Sequence, residues 1–65
     1  MARLKRGERQ RRRRSIRNRI WGSFGLKESE IAEETGLDRR VVNNYLRELK
    51  DDGDIHKDGW YWYRD

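Results

Sequence analysis

Apolar positions are sparse before Ile16 and periodic after it. Ile16 and Ile20 stand four apart, and Trp21 and Phe24 extend that stripe, the spacing of one helical face. No Gly or Pro interrupts residues 9–21, and arginine is a good helix former, so the pattern predicts a first helix over 9–21. Its opening turns carry no apolar face and are expected to fray without a partner. Gly22 and Gly25 bracket its end, so 22–26 reads as a connection. A second helix is predicted over 28–35, with Ile31 and Ala32 as its buried side. Glu28 and Glu30 fall in its first turn, where the helix dipole favours negative charge, and Lys27 falls at the N-cap, where lysine is a poor cap. Val41, Val42, Tyr45, Leu46 and Leu49 recur at three- and four-residue spacing, which predicts a third helix over 39–52, capped by Asp38 and closed by Gly53.

The tail alternates differently. Ile55-His56-Lys57 and Trp60-Tyr61-Trp62-Tyr63 flank Asp58-Gly59, a strong hairpin signal, so a hairpin is predicted over 55–63. A two-residue turn at Asp58-Gly59 sets Lys57 opposite Trp60, His56 opposite Tyr61 and Ile55 opposite Trp62. Ile55, Trp60 and Trp62 then share the core face, and Tyr61 and Tyr63 point away from it. The predicted fold class is mainly α with a small β-hairpin.

Composition adjusts this picture at the N-terminus. With 32% hydrophobic and 45% charged residues, the 65-residue chain is close to the disordered regime. The clustering of its apolar residues argues for a flexible basic arm over 1–10 and one folded domain over 11–65. Residues 1–20 hold ten Lys/Arg against Glu8, while the other 45 hold seven against eleven Asp/Glu. Such an asymmetry points to a basic arm for a polyanion. The absence of Cys excludes disulfides and thiolate metal sites. No residues have metal-ligand spacing, and neither a metal nor a cofactor is expected. No apolar run approaches a membrane span and no signal peptide is evident, so no membrane partner is expected and a cytoplasmic location (nucleoid-associated when bound) is the default.

The stretch Ile31-Ala32-x-x-x-Gly36-Leu37-x4-Val42 resembles the pattern of winged helix-turn-helix transcription factors. Leu46-Arg47-Glu48-Leu49, the Gly53 end and the aromatic hairpin are similar to that family's helix-to-wing junction. The resemblance covers about residues 15–64. It implies a three-helix winged fold whose third helix enters the major groove. The chain departs from the pattern at Lys27, where a Ser/Thr cap is usual, and in its very short wing tip.

With Val42, Leu46 and Leu49 buried, Arg39, Arg40, Asn43, Asn44 and Arg47 lie outward on the third helix. Arginine reads guanine and asparagine reads adenine in the major groove, and in helix-turn-helix domains the N-terminal half of the second helix of the motif reaches the base edges. These five are the candidate base-reading residues. Acids are absent from 39–47, whereas Glu48, Asp51, Asp52 and Asp54 follow. Arg11, Arg12, Arg13, Arg14, Arg17 and Lys57 are the candidate DNA-backbone contacts. Arg17 and Arg19 could instead pair with the acidic second helix, and the stem of Lys57 could pack on Trp60. Tyr61 and Tyr63 are read as cross-strand packing ahead of phosphate donors, and the three Trp as structural. Some members of the family recognise left-handed DNA through an Asn and a Tyr on the third helix and a Trp in the wing. Asn43 and Trp62 match part of that set, but Arg47 stands about where the Tyr would be, so the sequence favours a right-handed duplex.

No enzyme is expected. His56 is the only histidine, and Ser15, Ser23 and Ser29 have no base in reach. The expected function is sequence-specific double-stranded DNA binding as a transcriptional regulator or its DNA-binding domain, with homodimers possible. The alternatives are a winged-helix protein-interaction module, favoured by the acidic body, and RNA binding through the arginine-rich arm.

Overall fold

The computed structural model describes residues 7–65. Its elements are α1 (Glu8–Trp21), β1 (Leu26–Lys27), α2 (Glu28–Thr35), α3 (Arg39–Asp51), β2 (Ile55–Asp58) and β3 (Tyr61–Arg64). Residues 1–6 of the expected arm lie outside the described residues, while residues 8–10 form the first turn of α1.

The second and third helices start for local reasons. At the head of α2, the ammonium of Lys27 cannot accept a hydrogen bond. The reciprocal half of a capping box is made instead: the Lys27 backbone N–H donates to the Glu30 carboxylate at 3.4 Å. The tight turn into α3 is built by Thr35, whose hydroxyl donates to the Ile31 carbonyl at 2.7 Å and accepts from the Leu37 N–H at 3.3 Å. Asp38 caps α3 by accepting from the Arg40 N–H at 2.8 Å.

The core is Ile16 and Ile20 from α1, Ile31 and Ala32 from α2, Val42, Tyr45, Leu46 and Leu49 from α3, and Ile55 and Trp62 from the sheet. Trp21 ties α1 to the root of the hairpin. Its indole N–H donates to the Asp54 carbonyl at 3.0 Å, which also accepts from the Asp65 N–H at 3.1 Å. Phe24, expected to extend the α1 stripe, lies beyond the helix end and is fully exposed.

The sheet corrects the expected hairpin in two respects. It has three antiparallel strands in the order β1-β3-β2, because Leu26, expected in a connection, and Lys27, expected as an N-cap, pair with Trp62 and Tyr61. The hairpin register also differs: Asp58 pairs with Tyr61, Lys57 with Trp62, His56 with Tyr63 and Ile55 with Arg64. The turn residues are therefore Gly59 and Trp60, not Asp58 and Gly59. Gly59 has φ +64°, and among the described residues only glycines have positive φ. A turn at Asp58-Gly59 of the type that suits a hairpin needs positive φ at Asp58; moving the turn on by one residue puts glycine at the first central position, where type II′ geometry requires it. Moving each strand by one residue also preserves the faces, so Ile55 and Trp62 stay buried as expected. Trp60 leaves the core face for the tip, where it is 79% exposed.

Candidate nucleic-acid interface

The outward side of α3 divides into three rows. Arg39, Asn43 and Arg47 are four residues apart and form one ridge, whose first member meets the wing while Arg47, at its far end, shares a groove with Arg9, Asn44, Glu48 and Asp51. Arg40 and Asn44 form the crest. Glu48 and Asp52 lie on the opposite flank, which faces α1. Arg39, Arg40, Asn44 and Arg47 are exposed and Asn43 is half-buried.

A cleft joins the start of α3 to the wing tip. Lys27, Glu28, Ser29, Arg39, Lys57 and Trp60 line it, with Trp62 at its floor. Two separate packings aim the lysines. The Lys27 ammonium stands 5.4 Å from the Tyr61 ring centre and that of Lys57 5.8 Å from the Trp62 ring centre, both within cation–π range. Arg39 pairs with Glu28 at 3.4 Å, and with Arg39 67% exposed the pair is a weak one in water. The cleft therefore holds three cations, one carboxylate and an exposed indole.

The candidate backbone residues do not form one surface. Lys57 belongs to the cleft. Arg13 turns to the α1-facing flank of α3, 3.3 Å from Asp52 and 3.7 Å from Glu48. Arg17 stacks on Trp21 with its guanidinium carbon 4.8 Å from the ring centre, and its buried Nε has no partner. Arg64 approaches the same ring at 4.5 Å. Arg11 and Arg14 lie on the outer side of α1, both exposed, with half-buried Arg12 beside them. Arg19 pairs with Glu34 at 3.0 Å, the acidic second helix being one of its two expected partners.

The sequence reading passed over three contributors. Trp60, expected on the core face, lies at the wing tip, and the signal that relocates it is Gly59, whose positive φ opens the turn. Lys27 was read only as a poor cap. Arg9 was absent from the candidates, yet its guanidinium forms a two-point ion pair with the Glu48 carboxylate and lies 5.5 Å from the Tyr45 ring centre. Among the described residues no group of His, Cys, Asp and Glu could hold a metal ion, and no helix is long and apolar enough to cross a membrane.

Three helices in this order, a tight α2–α3 turn and a three-stranded sheet ending in a wing define a winged helix-turn-helix domain. Among solved structures the chain is similar to the Zalpha domain of Cyprinid Herpesvirus3 ORF112, described in its binding mode to Z-DNA. The two are 26% identical, with a TM-score of 0.76, over 86% of this chain and 95% of that one. No protein-family model matches the chain, and no curated protein does.

Proposed function

We propose that this domain binds double-stranded DNA through the α3 flank Arg39-Asn43-Arg47 and the wing tip, and that it reads the backbone shape of a left-handed duplex. The observation that carries this reading is the cleft itself. An exposed Trp60 at the wing tip shares it with Arg39, Lys27 and Lys57. An indole without core contacts beside three cations is suited to a sugar–phosphate backbone, where the ring covers apolar sugar and the cations meet phosphate. Similarity to a Zalpha domain described in its binding mode to Z-DNA supports the left-handed form as the ligand. Asn43 lies on this flank, and Trp60, in place of Trp62, supplies the wing tryptophan. The role is binding, without chemistry.

A second reading keeps the right-handed duplex. Arg40 and Asn44 on the crest are exposed and form no ion pair among the described residues, as a base-reading helix in the major groove requires. Arg47 stands where the left-handed readers carry Tyr. On this reading the domain is a sequence-specific regulator.

The two are separated by competition. A labelled alternating C-G duplex held in the left-handed form is challenged with the same duplex in the right-handed form and with random-sequence duplex. The proposal requires the left-handed form to compete best. Preferential loss to a selected right-handed sequence supports the regulator. No binding to any duplex contradicts both.

A further inference from the structure

The arginines of α1 are divided by the fold into neutralised and unneutralised sets. Arg9 and Arg13 reach the acidic end of α3, at Glu48 and Asp52. Arg11, Arg12 and Arg14 make no ion pair among the described residues. Arg11, Arg14 and Asn18 follow one another at three and four residues, a single row on the side of α1 opposite the buried Ile16 and Ile20.

This row is placed against its own electrostatics. Arg11 closes the first turn of α1, near the positive end of the helix dipole, where a cation is disfavoured, and Arg14 lies three residues further on. Arginines three and four apart repel one another by about 0.2–0.5 kcal/mol per pair. Anions lying along the row would relieve both penalties. The rise from Arg11 to Arg14 is roughly 4.5 Å, comparable with the ~3.4 Å axial spacing of phosphates along one strand, so both guanidiniums can meet one duplex backbone.

The row and the α3–wing cleft face different ways. Ile16 and Ile20 pack into the core that Val42, Leu46 and Leu49 enter from α3. The outer side of α1 therefore looks away from the cleft. A rigid duplex seated on α3 and the wing does not also reach Arg11 and Arg14.

We infer that the outer face of α1, through Arg11, Arg14 and the flanking Arg12, binds a second double-stranded nucleic-acid segment, so that one domain bridges two duplexes. The inference rests on the α3–wing reading for the first duplex. The occupant is a duplex backbone, recognised by charge and spacing without sequence preference.

The test is capture of a fluorescent duplex by an immobilised duplex in the presence of the full chain, with sedimentation reporting its oligomeric state. Wild type should capture as a monomer. Arg11→Gln with Arg14→Gln should abolish capture and leave affinity for a single duplex within about twofold, since distant surfaces contribute independently. Trp60→Ala with Asn43→Ala should abolish capture too, while retaining weaker binding of one duplex that disappears when the Arg11 and Arg14 changes are added. Capture that survives Arg11→Gln/Arg14→Gln, as a dimer joined through α1-independent contacts would give, overturns the inference. So does a wild type that binds one duplex and captures none. If Trp60→Ala/Asn43→Ala binds a single duplex as tightly as wild type, the α3–wing reading fails; loss of capture in Arg11→Gln/Arg14→Gln alone leaves that reading intact.

Discussion

Arg39, on the first turn of α3, and Trp60, at the tip of the hairpin, line one cleft. The hairpin register makes that meeting possible: with the turn at Gly59-Trp60, the indole is delivered to the tip instead of the core. The neighbouring Trp62, two positions on, is 5% exposed and belongs to the core.

The two tryptophans therefore separate function from folding. Trp60→Ala should leave the melting temperature nearly unchanged and weaken duplex binding by about tenfold or more, ~1.4 kcal/mol. Trp62→Ala removes a buried aromatic at a cost of about 3–5 kcal/mol. A domain of this size has a total stability of roughly 3–10 kcal/mol. Thermal melts followed by circular dichroism should find the second variant largely unfolded near body temperature.

Two glycines test the backbone account of the sheet. Gly59 has φ +64° and open space where a Cβ would be, so Gly59→Ala meets only the positive-φ backbone penalty, about 1–3 kcal/mol. Gly25 has φ +124°, and a Cβ there would stand 2.6 Å from the Tyr63 ring. Gly25→Ala should cost clearly more than Gly59→Ala in urea titration. Adding Tyr63→Ala should not restore Gly25→Ala to wild type, because the backbone strain persists.

The start of α1 is held by charge. Arg9 and Arg13 bridge to Glu48 and Asp52, and Arg9 also covers Tyr45. Exposed ion pairs contribute only about 0.2–1 kcal/mol each and are screened by salt. In Glu48→Gln/Asp52→Asn, amide exchange should quicken in the first two turns of α1, with the Ile16 and Ile20 region unaffected. The wild type in molar salt should show the same pattern.

The helices were legible because their signals are local. The i, i+4 pairs, the Asp38 cap and the glycines after α2 and α3 each act within a few residues, and the three helix boundaries fall within a residue of the sequence expectation. The sheet was less legible. Leu26-Lys27 is too short to carry a strand pattern and is a strand only because β3 is beside it. The hairpin turn was misplaced because an Asp-Gly pair is a good turn in isolation, while the pairing of β3 with β1 and the lack of strain at Asp58 favour Gly59-Trp60. On α3, the outward placement of Arg39, Arg40, Asn44 and Arg47 could be read from periodicity. The division of the arginines could not, since Arg9 and Arg13 differ from Arg11 and Arg14 only in which side of α1 meets Glu48 and Asp52.

Salt dependence tests whether phosphates supply the affinity. The α3–wing face offers Lys27, Arg39, Arg40, Arg47 and Lys57; about five phosphate contacts give a slope near −4.5 in log K against log salt. Arg39→Gln should reduce that slope by about 0.9. A slope near zero would mean that these cations do not meet the backbone.

The most direct measurement is the near-ultraviolet circular dichroism of an alternating C-G duplex titrated with the domain at moderate salt. The spectrum should invert to that of the left-handed form as the domain saturates the duplex, and Trp60→Ala should fail to invert it. Saturation of the duplex by wild type with the right-handed spectrum unchanged would contradict shape reading of a left-handed helix.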